Sequence, residues 1–580
     1  MKLQFVDFCI VIGFFILSLL IGIIVSKQSS KNSSSFFLSD RNMPWWLLGV
    51  SMVATTFAAD TPNLVTGIVR DTGVSGNWVW WSFLLTGMLT VFFYARLWRR
   101  SGITTDLEFY ELRYSGKSAA FLRGFRAIYL GVIFNVVVMA TVCLAAIKIG
   151  HVMFDFKAYE TLTIACTVTL LYSLLGGLKG VLITDFVQFI IAMVGSVWAT
   201  IYILELPEIG GLQAMISHPA VSGKLHILPD FKNTDLIMGI FIIPIAVQWW
   251  STWYPGSEPG GGGYIAQRML AAKNEKHATW AVLFFNIAHY ALRPWPWIII
   301  GLASLIIYPN VESLAIAFPE LDENFIANDL GYPAMLTFLP AGLLGLVVTS
   351  LIAAFMSTIS THLNWGSSYV VNDFYARFIN KDAPERTKVI VGQLSMVVMI
   401  AMAALLSLVL QEAKVAFDLI IQIGAGSGLL FILRWFWYKI NPWSEIVAML
   451  VSFINAVLFF INSSDQLGFK DQLFGALESW ETICLNVFIT TIAWLLATLL
   501  AKKSDAATIK HFDQLIYGTE SKFYNFQYKT LGMILGTIGI YSLLFAVGKL
   551  IYGEYSIGFG LMASFLTCAL GIFLFRKRIF

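Results

Sequence analysis

The stretch Ala54-Thr55-Thr56-Phe57-Ala58-Ala59-Asp60-Thr61-Pro62 holds two residues that do not suit their surroundings. It lies inside an apolar segment, Pro44 to Val69, that is long enough to cross a bilayer. Pro62 has no N–H, and its ring crowds the carbonyl four residues back, on Ala58. Asp60 is ionisable, and at membrane depth it is costly unless it faces protein or water. Small residues on either side let other backbone approach closely. A helix broken here leaves main-chain carbonyls unpaired beside a carboxylate, which suits a small cation and a polar solute. A plain proline kink in a packing helix is the other reading of the same residues.

Arg293 is a second charge inside an apolar run, in Ala291-Leu292-Arg293-Pro294-Trp295-Pro296-Trp297. The two prolines interrupt that helix as well. The arginine reads either as a cavity-facing cation or as one snorkelling to the headgroups. His289 and His362 are the histidines well inside apolar runs. Neither has an acid at His-Glu-x-x-His spacing, so an enzyme is not expected, and both read as packing or solute-facing. The five cysteines all fall in apolar segments, none paired at a short spacing, so neither a disulfide framework nor a zinc site is expected.

Long helices must position these groups. Of 580 residues 58% are hydrophobic and 13% charged, about half the charged share of a soluble domain, so the chain reads as an all-α polytopic membrane protein. The net charge of +3 does not point to nucleic acid, because the basic residues sit in loops between apolar runs. Val6 to Ser26 is too long for a signal-peptide core and reads as a retained span. The longest clearly polar stretch, Lys502 to Lys529, is too short for a soluble domain. Apolar runs bounded by charge, Gly and Pro predict about fifteen spans. Arg99, Arg100, Arg113, Lys117 and Arg123 follow the third span and Arg576-Lys577-Arg578 end the chain, whereas Tyr308 to Tyr332 is acidic with no Lys or Arg. Positive-inside bias then puts the N-terminus outside and the C-terminus in the cytoplasm.

Spans two to six and seven to eleven form two sets of five, each led by an interrupted span. The second interruption is Trp253-Tyr254-Pro255-Gly256-Ser257-Glu258-Pro259-Gly260 to Gly263. Paired breaks in two halves of opposite direction point to inverted repeats with a site at the midplane. The expected division is an extra N-terminal helix and loop at 1–43, a first repeat at 44–204, and an extracellular loop at 205–235. A second repeat at 236–440 and four accessory helices at 441–580 follow.

Tyr172-Ser173-Leu174-Leu175-Gly176-Gly177 through Thr184-Asp185-Phe186-Val187-Gln188 resembles the signature of the sodium/solute symporter family, which includes the sodium/glucose cotransporters. Three more stretches agree in order: Trp45-Trp46 up to Ala54, Tyr264-Ile265-Ala266-Gln267-Arg268 through Ala278, and Ala353-Ala354-Phe355-Met356-Ser357-Thr358 through Asn372-Asp373-Phe374-Tyr375. The resemblance covers roughly residues 5 to 440 and implies a leucine-transporter-type fold. It implies a sodium site formed by the carbonyls of Ala54, Phe57 and Ala354 and the hydroxyls of Ser357 and Thr358, with Asp185 on the ion's exit route. Adjacent helical positions such as Ser357 and Thr358 fan across about 100° with Ala354 one turn earlier, although such hydroxyls also bond back to their own helix.

The resemblance further matches Tyr264 to an inner-gate tyrosine, Gln422 to a solute-binding glutamine and Arg293 to a sugar-contacting lysine. The insertion before Tyr264 departs from the family, and the residue nearest the position of its sugar-contacting asparagine is Gly261. Gln248, Trp249 and Trp250 lie nearest the second break and join Asp60 as expected solute contacts, although tryptophans also populate interfacial belts. The expected activity is sodium-coupled uptake of a sugar or sugar derivative across the cell (plasma or inner) membrane, with sodium, solute and lipid as partners and no obligatory protein partner. A carboxylate or amino-acid substrate, or sodium-independent facilitation, remain the alternatives.

Overall fold

The computed structural model describes residues 3–29, 38–56, 58–410, 413–463 and 471–579. Phe57, one expected carbonyl ligand, lies outside them. Regular structure among the described residues is helical, as lipid demands of a chain that must satisfy every backbone group internally. In chain order the main helices are α1 (Phe5–Ser29), α2 (Trp45–Thr56), α3 (Asp60–Thr72), α4 (Val74–Ser101), α5 (Gly116–Phe154), α6 (Ala158–Leu204) and α7 (Thr234–Ser251). Then come α8 (Gly263–Ala271), α9 (Glu275–Ile307), α10 (Leu343–Ile379), α11 (Glu385–Ser407), α12 (Ala413–Gly424) and α13 (Gly428–Leu433). The chain closes with α14 (Pro442–Ser463), α15 (Ser479–Leu500), α16 (Ala506–Tyr517), α17 (Phe526–Ile551) and α18 (Tyr555–Ile579).

Among the described residues 11 helices are long and apolar enough to cross a membrane. The other expected spans fall on shorter pieces: the apolar part of α1, the α2–α3 pair, the first part of α6, and the α12–α13 pair. Helical hydrogen bonding runs through Gly176-Gly177 within α6, so the two expected spans on either side of this pair form one continuous helix. The most enclosed long helices are α10 and α9, while α18, α11, α7 and α15 turn most of their surface outward.

Both expected interruptions are present. Helix α2 stops at Thr56 and α3 begins at Asp60, so Pro62 falls in the first turn of a new helix, where a missing N–H does no harm. The second gap lies between α7 and α8. Its chain turns through Gly256, Gly260, Gly261 and Gly263 at φ of 84°, 77°, 79° and 55°, values open to glycine at little cost. This loop is packed inside the protein, with Glu258 buried, and Trp253 N–H donates to the Gly424 carbonyl at the end of α12.

On the side assigned to the exterior, Lys148 of α5 meets Asp329 in the acidic 308–332 loop. Its Nζ lies 2.7 and 2.8 Å from the two carboxylate oxygens, with side-chain exposures of 0% and 4%. Arg70 at the end of α3 donates to Asn328 of the same loop, so the loop is pinned to both helices.

Candidate functional site

The α2–α3 gap opens onto a cavity of about 110 Å³ lined by Asp60, Thr56, Thr141, Tyr264, His289 and Arg293, among others. Thr141 Oγ1 lies 3.3 Å from Asp60 Oδ2. Arg293, 1% exposed, is buried rather than at the headgroups. Its Nη1 donates to the Val53 carbonyl at 3.1 Å and reaches Thr56 Oγ1 at 3.3 Å, while its guanidinium lies over the Trp297 ring. A widened turn, Ile287–Leu292, precedes it and places His289 Nδ1 3.1 Å from the same Thr56 hydroxyl. The cavity therefore has an acid on one broken helix, a guanidinium on another, and aromatic walls that include Trp80, Tyr254, Tyr264 and Tyr290. Such walls suit a small solute with an apolar face and polar edges.

Directly below, four helices meet around buried oxygens. Ala54, Ala354, Ser357 and Thr358 are all buried. The Thr358 hydroxyl donates to the Thr55 carbonyl at 3.0 Å, across from α10 to α2. Ser357 and Ser51 each donate to one oxygen of Asp185, both at 2.5 Å, and Asp185 is 0% exposed. Neighbouring hydroxyls on α10 behave differently: Ser350, Ser360, Ser367 and Ser368 bond back to carbonyls of their own helix. Ser357 and Thr358 thus escape that usual fate: Ser357 turns to Asp185 of α6, and Thr358 lines the cavity and crosses to α2. Arg268 of α8 completes the cluster, with Nη2 3.2 Å from Ser51, 3.3 Å from Thr55 and 3.0 Å from Thr361 hydroxyls. One carboxylate against one guanidinium, with hydroxyls between, keeps the buried charges paired.

Of the expected solute contacts, Asp60, Tyr264 and Arg293 line the cavity, together with Thr358. The others face elsewhere. Gln248 Nε2 donates to the Val79 carbonyl at 2.6 Å, and Trp250 Nε1 to Ala246 one turn back at 2.7 Å. The Trp249 carbonyl accepts from Thr86. Gln422 Nε2 donates to Thr482 Oγ1 at 2.7 Å and accepts from Asn486, so it holds α12 to α15. Thr141, Tyr254 and Tyr290 went unread because isolated threonines and tyrosines are common in membrane helices. His289, set apart as a histidine at membrane depth, was the one signal pointing to that wall.

A profile of the sodium:solute symporter family matches residues 36–452. The sodium/glucose cotransporter of Vibrio parahaemolyticus is 25% identical over 489 residues, covering 81% of this chain and 88% of that protein. Sodium/myo-inositol cotransporter 2 of Oryctolagus cuniculus is 23% identical over 550 residues, covering 88% and 79%. Among solved structures, a sodium-coupled sialic acid symporter in a substrate-bound outward-open state has the same fold. Its TM-score is 0.68 at 21% identity, covering 87% of this chain and 99% of that one.

Proposed function

This multi-pass membrane protein belongs to the sodium:solute symporter family, and from that we propose that it imports a small polar solute, a sugar or sugar derivative, driven by sodium across the cell membrane. The relatives named above are cotransporters of sodium with glucose or with myo-inositol. The observation that supports the reading is the juxtaposition at the α2–α3 gap: carbonyl and hydroxyl oxygens shared between α2 and α10 on one side and the aromatic-walled cavity on the other.

In this mechanism sodium binds between α2 and α10, held by the Ala54 and Ala354 carbonyls and the Ser357 and Thr358 hydroxyls. A hard cation takes such neutral oxygens without a full carboxylate cage. Its presence would replace the Thr358-to-Thr55 hydrogen bond as the tie between the two helices. Asp185, already bonded to Ser357, stands on the route by which the ion leaves. The solute lies against the aromatic walls, its hydroxyls bonding Asp60 and Arg293, above Tyr264 as the inner barrier. Rocking of one helical bundle against another exposes the site to each side in turn. Coupling follows if sodium and solute both favour the same closed arrangement.

Uptake into proteoliposomes from a panel of labelled sugars, polyols and organic acids, with and without an inward sodium gradient, tests this. Concentrative uptake of a sugar or polyol only with the gradient is expected. Uptake independent of sodium, or uptake restricted to carboxylates, would overturn the reading.

A further inference from the structure

A second cavity, of about 1010 Å³, opens at the face assigned to the cytoplasm. It forms where the end of α4, the start of α9, the start of α17 and the end of α18 converge. Its walls carry seven Lys and Arg side chains against two carboxylates, Glu275 and Glu520. Both carboxylates are already matched. Arg96 lies 2.8 Å from Glu275 and 2.7 Å from Glu520, and Arg100, just outside the lining, lies 3.0 and 3.5 Å from the same two. Lys522 is paired with Asp513 at 2.8 Å. That leaves Lys529, Lys577 and their neighbours: among the described residues neither lysine has a carboxylate within ion-pair distance.

A merely solvated basic face would be convex and open. Here Lys529 is partly buried in a concavity, where unneutralised positive charge is held among other cations. Such a concentration of like charge is stabilised by an anion. The rim sets the depth. Phe523, Tyr524 and Phe526 are exposed large aromatics beside the opening, the residue types that settle at the headgroup level. Above it, α17 and α18 continue with outward Ile534, Ile538, Leu570 and Phe573, an apolar surface for acyl chains.

We infer that this cavity binds the headgroup of an anionic phospholipid, its phosphate against Lys529 and Lys577 and its chains along α17 and α18. Basic pockets between spans on the cytoplasmic side hold acidic headgroups in this way. The bound lipid would brace the accessory helices α17 and α18 against α4 and the start of α9, the helix that carries His289 and Arg293.

The test is native mass spectrometry of the full-length protein titrated with dioleoylphosphatidylglycerol, dioleoylphosphatidylcholine or glycerol 3-phosphate. The variants are Lys529→Gln and Lys577→Gln, with Lys381→Gln, an exposed lysine outside the cavity, as control. Lys577 is exposed, so its substitution reads out even if Lys529→Gln fails to fold. Phosphatidylglycerol should be retained in preference to phosphatidylcholine. Each cavity substitution should weaken it by about fivefold, the worth of one basic residue near an anionic headgroup, and the control should change nothing. Equal retention of the two lipids, unchanged binding in both cavity variants, or displacement of the lipid by an equal concentration of glycerol 3-phosphate would each overturn the inference.

Discussion

Asp329→Asn should loosen the outer side of the protein. Lys148 is enclosed, with a side-chain exposure of 0%, and its two short contacts to Asp329 supply its counter-charge. Removing one partner of such a pair leaves a buried charge uncompensated, at a cost of about 3–5 kcal/mol. Asparagine keeps one acceptor oxygen for the ammonium, so the lower end, about 3 kcal/mol, applies here. That penalty falls only on the arrangement in which the 308–332 loop is seated on α3 and α5. Lifting the loop hydrates Lys148 and relieves it, so the open arrangement gains by a factor of about one hundred.

Thr141 lines the cavity beside Asp60, so a Thr141→Cys reporter senses the opening. Labelling of that cysteine from outside by a membrane-impermeant thiol reagent should speed up by one to two orders of magnitude in the Asp329→Asn background. Lys148→Met combined with Asp329→Asn should return the rate most of the way to that of the reporter alone, because no stranded charge remains. An Asp329→Asn protein labelled at the reporter's own rate, or a double variant that labels faster than the single one, would refute the reasoning.

Asp60→Asn should reduce kcat/KM for uptake by at least about a hundredfold while leaving thermal stability within about 1 °C, since a carboxylate facing a cavity is exchanged for a neutral isostere; initial rates in proteoliposomes check it. Gln422→Ala should leave the solute KM unchanged and lower the thermal midpoint, because this side chain ties α12 to Thr482 and Asn486 of α15; a raised KM with an unchanged midpoint would return it to the solute site. Burial alone would raise the Glu111 carboxyl, but hydrogen bonds from Arg377 and Arg123 outweigh it and hold the group below its ordinary value. A depressed carboxyl contributes stability above its unfolded pKa and loses it as pH falls through its folded one. The contacts of Glu111 to Arg123 and Arg377 should therefore persist at pH 7 and loosen below about pH 4, seen as faster proteolysis of the 102–115 connection in acid that Glu111→Gln shows already at neutral pH.

The break at Asp60 was legible because a proline and a carboxylate stand out in a run of apolar and small residues, and each has a direct physical cost in an unbroken helix. The Gly/Pro stretch before Tyr264 was legible for the same kind of reason. Ser357 and Thr358 were not distinguishable from Ser350 or Ser367 by type or spacing. They differ in what crosses in front of them, Asp185 in one case and the Thr55 carbonyl in the other, and only the family resemblance picked them out beforehand. Gln248 and Gln422 show the converse. Glutamines beside breaks are reasonable solute ligands, but the partner of each is set by which helix packs against it, and the partners here are Val79 and Thr482. Arg268 was not legible as a site charge because its stretch carries only a motif resemblance, whereas its guanidinium is buried among the hydroxyls of Ser51, Thr55 and Thr361.

The most direct measurement is the sodium dependence of solute uptake in proteoliposomes containing Ser357→Ala with Thr358→Val, beside the unmodified protein. Loss of two of the cation's oxygens should raise the sodium concentration for half-maximal uptake at least tenfold, with uptake at saturating sodium partly retained. An unchanged sodium dependence would show that no ion is held between α2 and α10.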